Sequence, residues 1–257
     1  MKKEETRQAA STVFEGMTSI SAVINGGHRK IERVLIDREK AKKKIRETSF
    51  LKRCSERDGF EICFCDGDEI DHLTTGNTHG GIIALCGERE IAPLQDPLPE
   101  GNGFYVMIDG IEDPYNFGYA LRTVYAAGAD AVILTPRSWM SAAGVVCRAS
   151  AGASELIPMY ISEPENACSF FKAHGVRVAA AGIRNSVSAF SADLSLPLFL
   201  IVGGEKRGIS AKTLERADIV VRLDYGRDFR GSLSAASAAS VLAYEILRQN
   251  IINTENR

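Results

Sequence analysis

From residue 104 onward the chain alternates short apolar runs with longer amphipathic stretches. FYVMID, DAVILTP, PMYIS, VRVAAAG, PLFLIVGG and IVVRLDY are the runs, rich in Val, Ile, Leu and Ala. NFGYALRTVYAAGA, SAAGVVCRASAGASEL, NACSFFKAHG, SAKTLERAD and SLSAASAASVLAYEILRQN lie between or after them with apolar residues at helical spacing. Strands apolar on both faces and separated by helices predict a parallel sheet covered on both sides. Ligands of such sheets bind beyond the carboxyl ends of the strands, so functional residues are expected just after each run. Upstream, FEGMTSISAVINGG reads as a helix ending at a Gly-Gly stop, and IERVLID, FEICFCD and GGIIALC read as strands. REKAKKKIRETSFLKRCSERDG, between the first two strands, reads as one strongly charged helix. Pro93, Pro97 and Pro99 with Gly101 and Gly103 cannot continue a helix or a central strand. The pattern therefore predicts an α/β chain with a small domain over 1–92, a linker over 93–103 and a parallel-sheet domain over 104–257.

Composition narrows the class. The 257 residues are 45% apolar, with 23 glycines and 8 prolines, which excludes a disordered chain, a collagen-like repeat and a small disulfide scaffold. No apolar run reaches the roughly 18 residues that would span a bilayer, and MKKEETRQAAS lacks the hydrophobic stretch of a secretory signal. A cytoplasmic protein without a membrane partner is expected. Cys54, Cys63, Cys65, Cys86, Cys147 and Cys168 follow neither a disulfide framework nor metal-ligand spacing, so inert thiols and no metal are expected. His28, His72, His79 and His174 are scattered, and each reads as a surface or turn residue.

Thirty-one basic and 33 acidic side chains give a net charge of −2, which on average argues against a nucleic-acid protein. The average conceals a patch. From Arg29 to Arg57 there are twelve basic and five acidic side chains, and CDGDEID offsets this excess further on. Such a helix can be a solvated face or a grip on a phosphate backbone; the excess alone leaves both open.

Three strand ends carry candidate chemistry. After VMID comes Gly110-Ile-Glu-Asp-Pro-Tyr-Asn116-Phe-Gly118 and a helix bearing Arg122, with Pro114 suited to a helix start and Asn116 a candidate N-cap. After LFLIV come Gly203, Gly204 and Glu205, where glycines leave the backbone open to a flat ligand. Neither a P-loop nor a GxGxxG is present, which counts against a nucleotide-dependent oxidoreductase. After VVRLDY come Ser232 and the small-residue run Ser234 to Ser240, which lets a helix approach its neighbours closely. Taken singly, each could be a capped helix, a plain turn or tight packing.

Taken in order, the three segments resemble the SpoU (TrmH-like) RNA ribose 2′-O-methyltransferases of the SPOUT superfamily. DPYNFGYALRTVYAAGA resembles that family's first motif, LIVGGEKRGIS the second and SLSAASAASVLAYE the third. RASAGASELIP resembles the helix carried between the first two. FEGMTSISAVINGG and THGGIIALC resemble the family's small ribosomal-protein-like RNA-binding domain. The resemblance implies a C-terminal domain tied in a trefoil knot, where general topology rules would predict an unknotted sheet. It also implies a homodimer, S-adenosylmethionine as cofactor, and an RNA substrate, with ribosomal RNA and its processing ahead of transfer RNA.

The resemblance further implies roles for individual residues. Gly203, Gly204, Leu223, Ser232 and Leu233 would hold the cofactor, and Asn116, Arg122, Glu205, Ser232 and Ser234 would serve catalysis. Arg29, Lys42, Lys43, Lys44 and Arg46 are where RNA would be gripped. An arginine holds its proton far above neutral pH, so Arg122 is better suited to gripping a phosphate and stabilising oxyanion charge than to acting as a base. Ser234 departs from the third motif, whose usual residue is Asn. That departure keeps an alternative alive: a catalytically impaired RNA-binding member of the same fold.

Overall fold

The computed structural model describes residues 11–74, 77–136, 142–204 and 207–255. In chain order the first elements are β1 (Thr12–Glu15), α1 (Gly16–Gly26), β2 (Ile31–Asp37), α2 (Arg38–Ala41), α3 (Ile45–Asp58), β3 (Glu61–Cys65), α4 (Gly67–Leu73) and β4 (Ile82–Cys86). There follow β5 (Ala92–Pro93), β6 (Phe104–Asp109), α5 (Pro114–Ala126), β7 (Ala131–Leu134), α6 (Ala143–Ala149), α7 (Ala153–Leu156) and β8 (Met159–Ile161). The last are α8 (Pro164–Ala173), β9 (Arg177–Ala181), β10 (Val187–Ser188), β11 (Leu198–Gly203), α9 (Ala211–Leu214), β12 (Ile219–Arg222) and α10 (Ala235–Glu255). They form two compact units. One holds the described residues up to 90 together with those of the 140–156 stretch; the other holds the rest.

In the smaller unit the strands form a sheet in the order β1-β4-β2-β3, antiparallel except between β2 and β3. Phe14, Ile20, Val23, Val34, Ile36, Leu51 and Ile82 fill its core, and Ala143 and Cys147 of α6 join them. The RASAGASELIP stretch, far away in sequence, thus completes this unit. A buried ion pair fastens it: Arg29 Nε lies 2.9 Å from Glu155 Oε2, with side chains 4% and 3% exposed. Arg29 also donates to the Gly87 carbonyl at 3.1 Å and lies over the Phe14 ring. Arg89, itself buried, donates to the Ser154 carbonyl.

Three local expectations are corrected here. The single basic helix is two, because the chain turns at Lys42–Lys44 between α2 and α3. Asp37, at the end of β2, accepts from Glu39 N and Lys40 N and starts α2 separately. TVFE is a strand, although it adjoins a helical pattern; Gly16 at φ +78° makes the abrupt change of direction. His79 is a buried structural residue, its Nδ1 accepting from Gly81 N at 3.0 Å and its Nε2 3.0 Å from Asp71.

The larger unit carries a parallel sheet in the order β10-β12-β9-β11-β6-β7-β8-β5. Tyr105, Phe171 and Phe199 stack in its core with centroids 4.8 and 4.3 Å apart. Asp130 accepts from Gly103 N and Phe104 N, both at 2.8 Å, and so fixes where β6 begins. α10 is tied back to the segment before β11: Gln249 and Asn250 accept from Leu194 N and Leu196 N at 2.9 and 3.0 Å. Backbone donors that no strand satisfies are thereby paired.

All six thiols are free. Burial pushes Cys86 and Cys147 up to about 12 and Cys168 up to about 11, which leaves little thiolate at neutral pH. Ellman's reagent should accordingly react with none of these three in the native protein and with all of them in denaturant.

Removing one partner of a buried pair strands the other charge away from water. Glu155→Leu should therefore lower unfolding stability by about 3–5 kcal/mol in urea titration; a loss below about 1 kcal/mol would show that the pair contributes little.

Candidate functional site

β6 and β11 are neighbours in register, with Asp109 beside Gly203. Just beyond this pair, the chain passes through Gly110 (φ +78°) on one strand and Gly204 on the other. A Cβ added at Gly204 would fall inside the van der Waals shell of the Gly110 carbonyl, and one at Gly203 would lie 2.7 Å from Ile209 N. The backbone leaving β11 can lie against the Gly110 carbonyl because Gly204 has no side chain. Between the two strand ends opens a cavity of about 440 Å³, within the usual range for small-molecule sites. Asp109, Gly110 and Glu112 wall it from the β6 side, and Gly204, Arg207 and Gly208 from the β11 side. Ser210, also at the wall, caps α9 by accepting from Thr213 N at 3.1 Å.

Of the expected cofactor residues, Gly204 lines this cavity, whereas Gly203, Leu223, Ser232 and Leu233 do not. Gly203 is the last residue of β11, and Leu223 follows the end of β12. Ser232 and Leu233 lie in the exposed connection to α10, where Leu233 N donates to Tyr225 Oη at 3.2 Å. Asp109, Glu112, Arg207 and Ser210 were not anticipated. The rule that ligands bind past the strand ends pointed to their neighbourhood but did not single them out.

The expected catalytic residues divide into three groups. Asn116 and Arg122 are on α5. Its N-cap is Asp113, which accepts from Asn116 N at 2.8 Å; Pro114 takes the first helical position, so Asn116 sits one turn inside and is not the cap. Arg122 is exposed on the face of Tyr115 and Tyr119, and among the described residues its side chain has no hydrogen-bonding or ionic partner. Six helical residues separate Asn116 from Arg122 by about 9 Å of rise and about 120° of turn, so they occupy different faces. Ser234 caps α10: its hydroxyl accepts from Ser237 N at 3.1 Å and donates to Ser237 Oγ at 3.0 Å. α10 packs on α5, where Ser240 Oγ donates to Thr123 Oγ1 at 3.1 Å. Ser232 is exposed, and Glu205 lies outside the described residues.

The expected RNA contacts also separate. Lys43 and Arg46 are exposed and without a side-chain partner among the described residues, and Lys42 is exposed beside Glu39 at 2.8 Å. Lys44 donates to the Gly80 carbonyl at 2.8 Å. Arg29 is corrected: its guanidinium is buried on Glu155 and is not available to a phosphate. Among the described residues no group of three His, Cys, Asp or Glu could hold a metal, and no helix is long and apolar enough to cross a membrane.

The profile of the SpoU rRNA Methylase family matches residues 103–244. That described as RNA 2′-O ribose methyltransferase substrate binding matches residues 13–92. A protein of Staphylococcus haemolyticus assigned to the TrmH family of tRNA/rRNA methyltransferases is 30% identical over 187 residues, 70% of this chain and 74% of its own. One from Staphylococcus saprophyticus, of the same assignment, is 28% identical over 92% of this chain and 95% of its own. Among solved structures, the AdoMet-bound rRNA methyltransferase of Sinorhizobium meliloti superposes with a TM-score of 0.79 at 24% identity, over 93% of this chain and 88% of its own. The SpoU methyltransferase AviRb of Streptomyces viridochromogenes, with AdoMet, gives 0.76 at 22% identity, over 98% and 94%.

The crowding at the strand ends gives a direct test. Gly204→Ala should abolish ligand binding at the cavity, measured by calorimetry, and lower the melting temperature. Full retention of both would mean that the close approach of β6 and β11 is not required.

Proposed function

The chain belongs to the SpoU rRNA Methylase family, and from that premise we propose that it transfers a methyl group from S-adenosylmethionine to a ribose 2′-hydroxyl of ribosomal or transfer RNA. Ribosomal RNA is the first candidate. The observation that carries this reading is the cavity at the paired ends of β6 and β11, whose walls are bare backbone at Gly110, Gly204 and Gly208. The uncovered peptide groups at these three glycines suit a cofactor held by backbone contacts. The reading adds Gly203, Leu223, Ser232 and Leu233 as further contacts on the neighbouring strand ends. The substrate-binding profile over residues 13–92 supports RNA, and ribose is the target that its description names.

S-adenosylmethionine supplies an electrophilic methyl on a sulfonium when bound. The protein's task is to align the ribose hydroxyl and ease the loss of its proton. Arg122, a permanent cation without a partner among the described residues, grips the adjoining phosphate and stabilises developing oxyanion charge. Asn116, Glu205 and Ser232 orient the ribose and Arg122. Ser234 stands where the family usually has Asn, and both types cap helices well. Its engagement with Ser237 keeps the start of α10 capped despite the change from Asn. Selection for RNA follows from the 2′-hydroxyl, which DNA lacks.

The same reading includes a homodimer. Tyr115, Tyr119 and Tyr125 on α5 and Val241, Tyr244 and Ile251 on α10 are 38–51% exposed, a large apolar surface on two packed helices that a second copy would cover. It includes the family's knot, with which the placement of β11 between β9 and β6 is compatible. It also includes the cytoplasm, whose reducing conditions suit six free thiols.

Transfer of labelled methyl to RNA, followed by nucleoside digestion, should yield 2′-O-methylribose. Arg122→Ala should reduce this at least about 100-fold, in line with loss of an oxyanion-stabilising group, while leaving cofactor affinity intact; undiminished transfer would refute the role of Arg122. Lys43→Glu with Arg46→Glu should weaken RNA binding and flatten its salt dependence. Unchanged affinity would remove the smaller unit's basic turn from the interface.

A further inference from the structure

We propose that the loop from Tyr225 to Gly231 is a second RNA-binding element, one that stacks an unpaired base on Phe229 and holds its flanking phosphates with Arg227 and Arg230. This rests on the reading of the chain as an RNA methyltransferase and adds the element that grips the substrate close to the reaction. The sequence Tyr-Gly-Arg-Asp-Phe-Arg-Gly interleaves two aromatic and two cationic side chains. Tyr225 and Phe229 are 41% and 55% exposed. Arg227 and Arg230 are exposed and have no side-chain partner among the described residues, although Asp224 and Asp228 are close in sequence. Asp224 is instead paired with Arg222 at 2.8 Å.

The rings are held in place although they lie in water. Tyr225 Oη accepts from Leu233 N at 3.2 Å, which closes the loop on itself. The Tyr225 and Phe229 rings meet edge to face, with centroids 5.6 Å apart. Phe229 lies across Gly231, where a Cβ would come within 2.6 Å of its Cζ. A loop that spends a glycine to seat an exposed phenylalanine offers a fixed flat surface with cations beside it, the combination that binds single-stranded nucleic acid through stacking and phosphate contacts. An apolar protein partner would leave both arginines unpaired, so the cations favour a polyanion. Placement agrees. The loop joins the carboxyl end of β12 to the cap of α10, next to Ser232 and Leu233.

The test uses the full-length protein and a fluorescein-labelled single-stranded 12-mer oligoribonucleotide, followed by fluorescence polarisation, with the matching duplex alongside. Phe229→Ala should weaken single-strand binding by about 5- to 150-fold, the usual worth of one stacked base, and leave duplex binding nearly unchanged. Arg227→Gln with Arg230→Gln should lower the slope of log affinity against log salt by about 1.4, two single-strand phosphate contacts. S-adenosylmethionine affinity by calorimetry should match wild type in both variants. If wild type binds S-adenosylmethionine and RNA, and both variants bind RNA equally well, the loop proposal fails and the enzyme reading stands. A wild-type protein that binds no S-adenosylmethionine, but whose variants lose single-strand affinity, would sink the enzyme reading and keep the loop. Variants that keep RNA affinity but change sedimentation would assign the loop to contact between copies and overturn the proposal.

Discussion

Two parallel strands normally diverge into separate loops once they leave a sheet, because side chains at their ends need room. Here β6 and β11 leave together: a methyl group at Gly204 would collide with the Gly110 carbonyl, and Gly110 itself takes a φ of +78° that favours glycine. Much else in the larger unit follows from that approach. Asp130 sets the start of β6, and Gln249 and Asn250 hold the segment before β11, so both strands arrive at the junction in fixed register. Peptide groups rather than side chains then form much of the cavity wall. Asp109, Glu112 and Arg207 add charged side chains to its lining.

The smaller unit depends on a different constraint. Its sheet and α1 are completed by α6 and α7, more than fifty residues further along the chain than β4, and the buried Arg29–Glu155 pair is the polar fastening between them. This buried pair holds two charges that compensate each other away from water, so losing either one strands the other. Its location explains why Arg29 does not serve as an RNA contact, although it begins the basic stretch. Of the expected contacts, Lys43 at the turn between α2 and α3 and Arg46 just after it have no side-chain partner among the described residues.

Most strands of both sheets were legible, because runs such as FYVMID and LFLIVG are apolar on both faces and bounded by Gly, Pro or Asp, whereas β1 was hidden by the helical pattern it runs into. β5 and β10, two residues each, carry no pattern of their own and exist through their partners. The break in the basic helix depended on Asp37 acting as a cap, a choice that competes with helix propensity over the same residues. The three motif regions were legible as an ordered set, and they do fall at strand ends. What sequence could not convey was where side chains point. Asn116 and Arg122 lie on different faces of α5, and Ser234 spends its hydroxyl on Ser237. The arrangement of Tyr225, Phe229 and Gly231 appears only once the loop is folded.

The proposed methyl transfer has its site at the glycine-lined strand junction and a ribose as its target. Mapping ribose methylation across total RNA from cells with and without the gene tests that most directly. One ribose should lose its 2′-O-methyl group when the gene is absent and regain it when the wild-type gene is restored. An unchanged ribose map, with a base methylation lost instead, would contradict it.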